Sequence, residues 1–293
     1  MRKRALIYVI LSGILWGSSA IFFTLLKRLG FTSLQMTAVR SVGAALYMGL
    51  FTLVCDRSAF RISGKELPFY LISGLMMYGA AAFYYGSIAA SSPAVAAVLM
   101  YTSPAFVMVW SVLFLKETLT RRKVLSVALV IAGCALVSGI GGGGAVSLAG
   151  ILLGLAAGLS YGTYTIVTKL EMKRRLSSVS ANLYSLLIMG LVSIPLGDPS
   201  GIVRNTAENL PAALPLMLGV GLFTCVLPYV FFSLSLRELP AGTAASLSVI
   251  EPLAAALFSV CFFGERLSAA TVCGIVLILT AVFLLSGKDP VEE

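Results

Sequence analysis

Gly13-Ile14-Leu15-Trp16-Gly17-Ser18 reappears later in the chain as Gly158-Leu159-Ser160-Tyr161-Gly162-Thr163. Two further pairs keep nearly the same offset: Ser103-Pro104 with Glu251-Pro252, and Glu117-Thr118-Leu119-Thr120 with Glu265-Arg266-Leu267-Ser268. Self-similarity on this scale marks a duplication. The chain therefore reads as two homologous halves, residues 1–144 and 145–293, joined at the glycine run Gly141 to Gly144. The motifs lie in strongly apolar surroundings. Of 293 residues, 59% are hydrophobic and 11% charged, and the mean hydropathy is +0.99; soluble domains run nearer half and a quarter. A bilayer is the solvent in which this sequence has to fold.

Apolar runs fall near residues 5–26, 33–54, 67–89, 93–115, 123–140, 147–168, 178–196, 211–236, 241–263 and 268–286. An α-helix needs about 20 residues to cross roughly 30 Å of hydrocarbon, and no stretch alternates for long as a barrel strand would. The predicted fold class is an all-α polytopic membrane protein with ten transmembrane helices. Arg2-Lys3-Arg4 before the first run is also how a signal peptide begins, but this run has full spanning length and recurs in the second half, so it reads as the first helix.

Basic residues orient the runs. With a cytoplasmic N-terminus, only Lys27, Arg28, Arg204 and Arg266 fall in outside loops, and Arg40 lies within the second run. The rest of the 21 lysines and arginines lie inside, as the positive-inside rule requires. Both termini are then cytoplasmic. Five helices per half is an odd number, so the second half enters the membrane inverted. The charges follow the inversion: Lys116, Arg121, Arg122 and Lys123, predicted inside, align with Gly264, Ala269, Ala270 and Thr271, predicted outside. Two inverted five-helix repeats are the plan of many secondary transporters, whose halves rock about a midplane site.

Several functions are disfavoured. The net charge of +9 resides in short turns as an orientation signal, so no nucleic-acid partner is expected. There is no histidine, and the five cysteines show no close pairing, so no metal, cofactor or enzyme chemistry is expected. No Gly-rich loop ends in Gly-Lys-Ser or Gly-Lys-Thr, which argues against an ATP-driven pump. A non-transporting assembly or receptor protein is the alternative to a carrier, although it has no need of two inverted halves.

The duplicated plan, Trp16-Gly17 in the first run, the mid-run prolines Pro104 and Pro252, and the segment Gly264-Glu265-Arg266-Leu267-Ser268 together resemble the EamA-like branch of the drug/metabolite transporter superfamily. The resemblance covers nearly the whole chain. It implies a carrier with cytoplasmic termini and a central cavity, usually an exporter of amino acids or other small metabolites. The first half departs from the family pattern, with Lys116-Glu117 where Gly-Glu is usual.

Candidate site residues follow from the cost of polarity in lipid. Pro104 and Pro252 each remove an amide and free a carbonyl, on Met100 and Ser248; in hydrocarbon such a group must find neighbours or a hydrated cavity. Both prolines are expected to be hinges bordering a cavity. Arg40 and Glu251 are the ionisable residues deep within apolar runs, each costing about 2.5–3.5 kcal/mol on insertion scales. Their depths along the helices allow either an ion pair, which would be structural, or separate roles in substrate binding and proton coupling. Glu251 takes the place of Ser103 in the other half, which breaks the symmetry. Trp16, its repeat partner Tyr161, Tyr78, Tyr85 and Tyr101 offer apolar walls, with Asn182 and Ser248 as further polar groups. The expected ligand is a small amphipathic solute, the expected coupling ion a proton, and the expected unit a monomer in the cell membrane. Gly150, Gly154, Gly158 and Gly162 form a ridge expected to pack within the chain, with Gly13 and Gly17 as its match in the first run.

Overall fold

The computed structural model describes residues 2–91, 93–137, 147–264 and 268–286. Gly141 to Gly144, Glu265 to Leu267 and Lys288 lie outside the described residues. The first run is α1 (Arg2–Gly17) and α2 (Ser19–Arg28), interrupted at Ser18; the second is α3 (Ser33–Cys55) and the third α4 (Leu67–Ala90). The fourth divides into α5 (Pro93–Met100), α6 (Ser103–Trp110) and a π-helical turn, Ser111–Leu115; the fifth is α7 (Arg121–Val137). Next come α8 (Leu148–Lys173), α9 (Ser178–Leu196) and a short loop helix that the apolar pattern did not announce, α10 (Pro199–Glu208). The eighth run is α11 (Leu210–Gly221), a π-helical turn Leu222–Val226 and α12 (Leu227–Ser235); the ninth is α13 (Ala241–Ser248) with α14 (Ile250–Phe263), and the tenth α15 (Ala269–Ser286). Among the described residues, eight helical stretches are long and apolar enough to cross a membrane.

Backbone groups in lipid must be satisfied within the segment, which is why the apolar runs are helical. The side chains follow the same logic. Leu46, Leu50 and Val54 stand on the exposed face of α3, while Ser41 and Thr52 are buried. Buried hydroxyls turn back onto their own helix: Ser41 Oγ donates to Thr37 O at 2.6 Å, Thr52 Oγ1 to Met48 O at 2.7 Å and Thr224 Oγ1 to Val220 O at 2.6 Å. These bonds let small polar residues sit at helix contacts without an unpaired donor.

Helix pairings come in matched sets. α4 lies along α8 as α1 lies along α12; α8 packs on α5 and α6 as α1 packs on α13 and α14; α3 pairs with α9, and α7 with α15. Polar clasps repeat the pattern. After α3, Ala59 O and Phe60 O accept from Ser180 Oγ (3.0 Å) and the Tyr184 hydroxyl (2.8 Å) of α9. After α9, Asp198 Oδ2 accepts from Gln35 Nε2 (3.0 Å) at the start of α3, and Asn205 Nδ2 donates to Gly30 O (2.9 Å). Hydrogen bonds from Ser200 Oγ and the Gly201 amide hold the Asp198 carboxyl below its usual range. Glu117 Oε1 accepts from Ala241 N at 3.1 Å, so this carboxylate caps the start of α13. Lys116 has φ of 56° where Gly264, its aligned residue, has φ of 67°. That left-handed backbone explains why glycine is the usual residue there.

α1 makes close approaches to backbone through its glycines. A Cβ built on Gly17 would lie 2.6 Å from Ala254 Cβ, 2.7 Å from Glu251 O and 2.9 Å from Ala255 N, and two of these three atoms are backbone. Gly17→Ala should therefore lower stability by about 1–3 kcal/mol through overpacking. Gly49→Ala, with nothing within 4 Å, should be neutral or stabilising by up to about 1 kcal/mol from helix propensity. Melting temperatures of the two variants in detergent test the contrast.

Candidate functional site

Two helices are broken at aligned positions. α5 ends at Met100 and α6 begins at Ser103, while α13 ends at Ser248 and α14 begins at Ile250. Pro104 and Pro252 stand in the first turn of the second piece, where a helix needs no amide. The breaks themselves fall at Tyr101-Thr102 and Val249, one turn before the predicted hinges.

The carbonyls at the breaks face glycine backbone. A Cβ on Gly13 would meet Ser248 O at 2.9 Å, and one on Gly158 would meet Leu99 O at 3.0 Å and Met100 O at 3.2 Å. α1 thus lies against the broken helix α13–α14, and α8 against the broken helix α5–α6. The ridge on α8 does pack within the chain, but Gly150 and Gly154 meet Ser91, Ser87 and Leu99. It does not meet Gly13 and Gly17, because those face α13 and α14.

Between the two breaks is a cavity of about 320 Å³, at the small end of the roughly 300–1,000 Å³ range of ligand pockets. Trp16, Arg40, Tyr85, Tyr101, Tyr161 and Glu251 line it. The aligned pair Trp16 and Tyr161 meet edge to face at 5.9 Å, and Trp16 also packs on Tyr229 at 5.2 Å. Such geometry adds specificity beyond area burial. Phe23, Tyr84 and Tyr229 complete the aromatic walls, with Ser19 and Met77 beside them. Tyr84 was within reach of sequence reading as the neighbour of Tyr85, because a cavity that wraps a helix takes adjacent residues; Phe23 and Tyr229 carry no such signal.

Other predicted site residues lie elsewhere. Tyr78 packs against the main core, and Ser103 is buried at the start of α6. Asn182 is buried away from the cavity, donating to Ser178 O and Ser233 Oγ, each at 2.8 Å. Ser248 reaches the cavity wall through the Tyr161 hydroxyl at 3.5 Å.

Arg40 projects from α3 and Glu251 from the first turn of α14, and both border the cavity without a hydrogen bond or ion pair between them. Arg40 Cζ lies 6.0 Å from the centroid of the Phe23 ring, a cation–π separation. Its Nε is buried and makes no hydrogen bond. A guanidinium with an unsatisfied donor and a separate carboxylate, set in aromatic walls, form a site with two opposite charged ends and an apolar middle.

The profile of the EamA-like transporter family matches twice, at residues 3–139 and 148–287; the chain belongs to that family. It is 26% identical to the uncharacterized transporter YwfM of Bacillus subtilis, over 96% of this chain and 93% of that protein. It is 27% identical to the threonine/homoserine exporter RhtA of Salmonella typhimurium, over 80% of this chain and 77% of the relative. A solved crystal structure shares the fold, with a TM-score of 0.80 at 18% identity, over 97% of this chain and 96% of that one. The protein is a multi-pass transporter of the cell membrane.

Because Arg40 and Glu251 are unpaired, Glu251→Gln and Arg40→Gln should each yield folded protein, with no rescue in the double variant. A buried pair would instead lose about 3–5 kcal/mol from either single change. Size-exclusion yield and melting temperature measure the difference.

Proposed function

We propose that the protein is a secondary active carrier that exports small amphipathic metabolites such as amino acids, alternating access around the central cavity. The observation that carries this reading is the unpaired Arg40 and Glu251 within an aromatic-walled space of about 320 Å³. A zwitterion fits those ends: its carboxylate on the Arg40 fork, its ammonium on Glu251, its side chain against Trp16, Tyr101 and Tyr161. The exporter name of the RhtA relative supports this substrate class.

On this reading the chain spans the membrane ten times as two inverted five-helix repeats, 1–144 and 145–293, with both termini cytoplasmic, and works as a monomer because both halves lie in one chain. The paired family matches, the matched helix pairings and the distribution of basic residues support it. The breaks before Pro104 and Pro252 are the hinges about which the halves rock. Protons drive export: Glu251 holds either a proton or the substrate amine, and exchange of one for the other couples the two movements.

Glu251→Gln should then abolish pH-driven transport of L-threonine in proteoliposomes while leaving substrate exchange, which moves no net proton, at a weakened affinity because the ammonium loses its carboxylate. Normal pH-driven transport in this variant would remove Glu251 from the coupling mechanism. For the topology, a cysteine placed among Gly141 to Gly144 should react with an impermeant thiol reagent from outside intact cells, and one at Arg122 should not; labelling of both from one face would refute the inversion.

A further inference from the structure

α8 carries Tyr161, Tyr164, Thr168 and Glu171 at steps of three, four and three residues, so the four share one helix face. Tyr161 borders the central cavity, and Tyr164 packs against it at 6.0 Å. Tyr164, Thr168 and Glu171 line a second pocket of about 10 Å³, close to the room one water occupies. Met77 lines both spaces. Thr168 Oγ1 is buried at this pocket and makes no hydrogen bond.

Glu171 is 1% exposed and accepts from Ser73 Oγ of α4 at 2.9 Å. The lysines on its own helix turn away: Lys169 Nζ donates to Leu236 O (2.8 Å) and Leu239 O (2.6 Å), and Lys173 Nζ to Leu115 O (3.4 Å). From α9 and α12 the pocket receives neutral Asn182, Ser185 and Ser233. Titratable groups facing Glu171 are Tyr164 on α8 and Tyr70 on α4. Tyr184 of α9 stacks on Tyr70 at 5.7 Å. Tyr70 is fully buried, and its hydroxyl donates at 3.3 Å to Glu66 Oε2, whose residue is half-buried at the end of α4. The first half has Leu26 where α8 has Glu171, so the carboxylate belongs to one half alone.

We propose that Glu171 is an internal proton-binding site, and that Glu66, Tyr70, Glu171, Thr168, Tyr164 and Tyr161 form a proton path from the protein surface to Glu251 in the cavity. A proton arriving through Glu66 and Tyr70 binds Glu171. Each hydroxyl beyond accepts one proton and releases its own, so Thr168, Tyr164 and Tyr161 end unchanged and Glu251 gains the proton. The path's transport role rests on the proton-coupling reading above; proton binding at Glu171 does not.

The test is infrared spectroscopy of the full-length protein in lipid during pH jumps, alongside proton-driven uptake of L-threonine. A carboxyl C=O band that follows bulk pH should disappear in Glu171→Gln. In Tyr70→Phe the band should persist, but its response should slow at least tenfold. In Thr168→Val the Glu171 response should stay fast while uptake falls at least tenfold. Should Glu171→Gln not fold, Glu171→Asp keeps a carboxyl on a shorter stem and should shift the band. An unaltered band in both Glu171 variants, or an unchanged rate in Tyr70→Phe, would overturn the proposal. Absence of proton-driven uptake in the wild type, with the Glu171 band behaving as expected, would overturn the coupling reading and leave the proton site standing.

Discussion

The structure depends on bare glycine backbone meeting bare backbone at the helix breaks. Lipid tails are as apolar as leucine, so helices in a membrane gain little by hiding side chains from lipid and associate through close van der Waals fit. Gly13 and Gly17 bring α1 against α13 and α14, and Gly158 and Gly162 bring α8 against α5 and α6. In each case a glycine-faced helix covers an interrupted helix. The same contact draws Trp16 and Tyr161 together, and it holds the backbone of Glu251 against Gly17.

The cavity is a consequence of the breaks. A continuous helix at either position would carry a full hydrogen-bond ladder and a uniform surface. The interruption at Tyr101-Thr102 turns Tyr101 toward the space, and the restart at Ile250 puts Glu251 in a first helical turn, where the helix dipole favours a negative charge. Each intramembrane charge carries an insertion cost of about 2.5–3.5 kcal/mol, and the two sides of the cavity divide it between α3 and α14. Their separation leaves both groups available to a ligand, in the reading proposed for the site, where a direct ion pair would have consumed them.

Much of this was legible in advance because the solvent is so selective. The apolar runs, both prolines and the isolated Arg40 and Glu251 are local properties, and a bilayer penalises violations heavily enough for each to stand out. Reading went astray where hydropathy marked an end that packing did not. The sixth apolar run ends near 168, yet α8 continues to Lys173. Lys169 is buried with its ammonium on two carbonyls, so a residue counted as a loop charge is part of the helix packing. Asn182 was expected at the cavity on polarity alone, but its register on α9 directs it to Ser233.

The sequence by itself determined that the chain is helical, where its apolar segments lie, and that Arg40 and Glu251 stand within them, because each follows from the composition of a single segment measured against lipid. Only the tertiary structure decided which glycines meet which breaks, that Arg40 and Glu251 stand apart, that Phe23, Tyr84 and Tyr229 complete the cavity wall, and that Glu171 is enclosed beside Thr168. These depend on the rotation and depth of one helix against another far away in sequence, and a hydropathy pattern contains neither quantity.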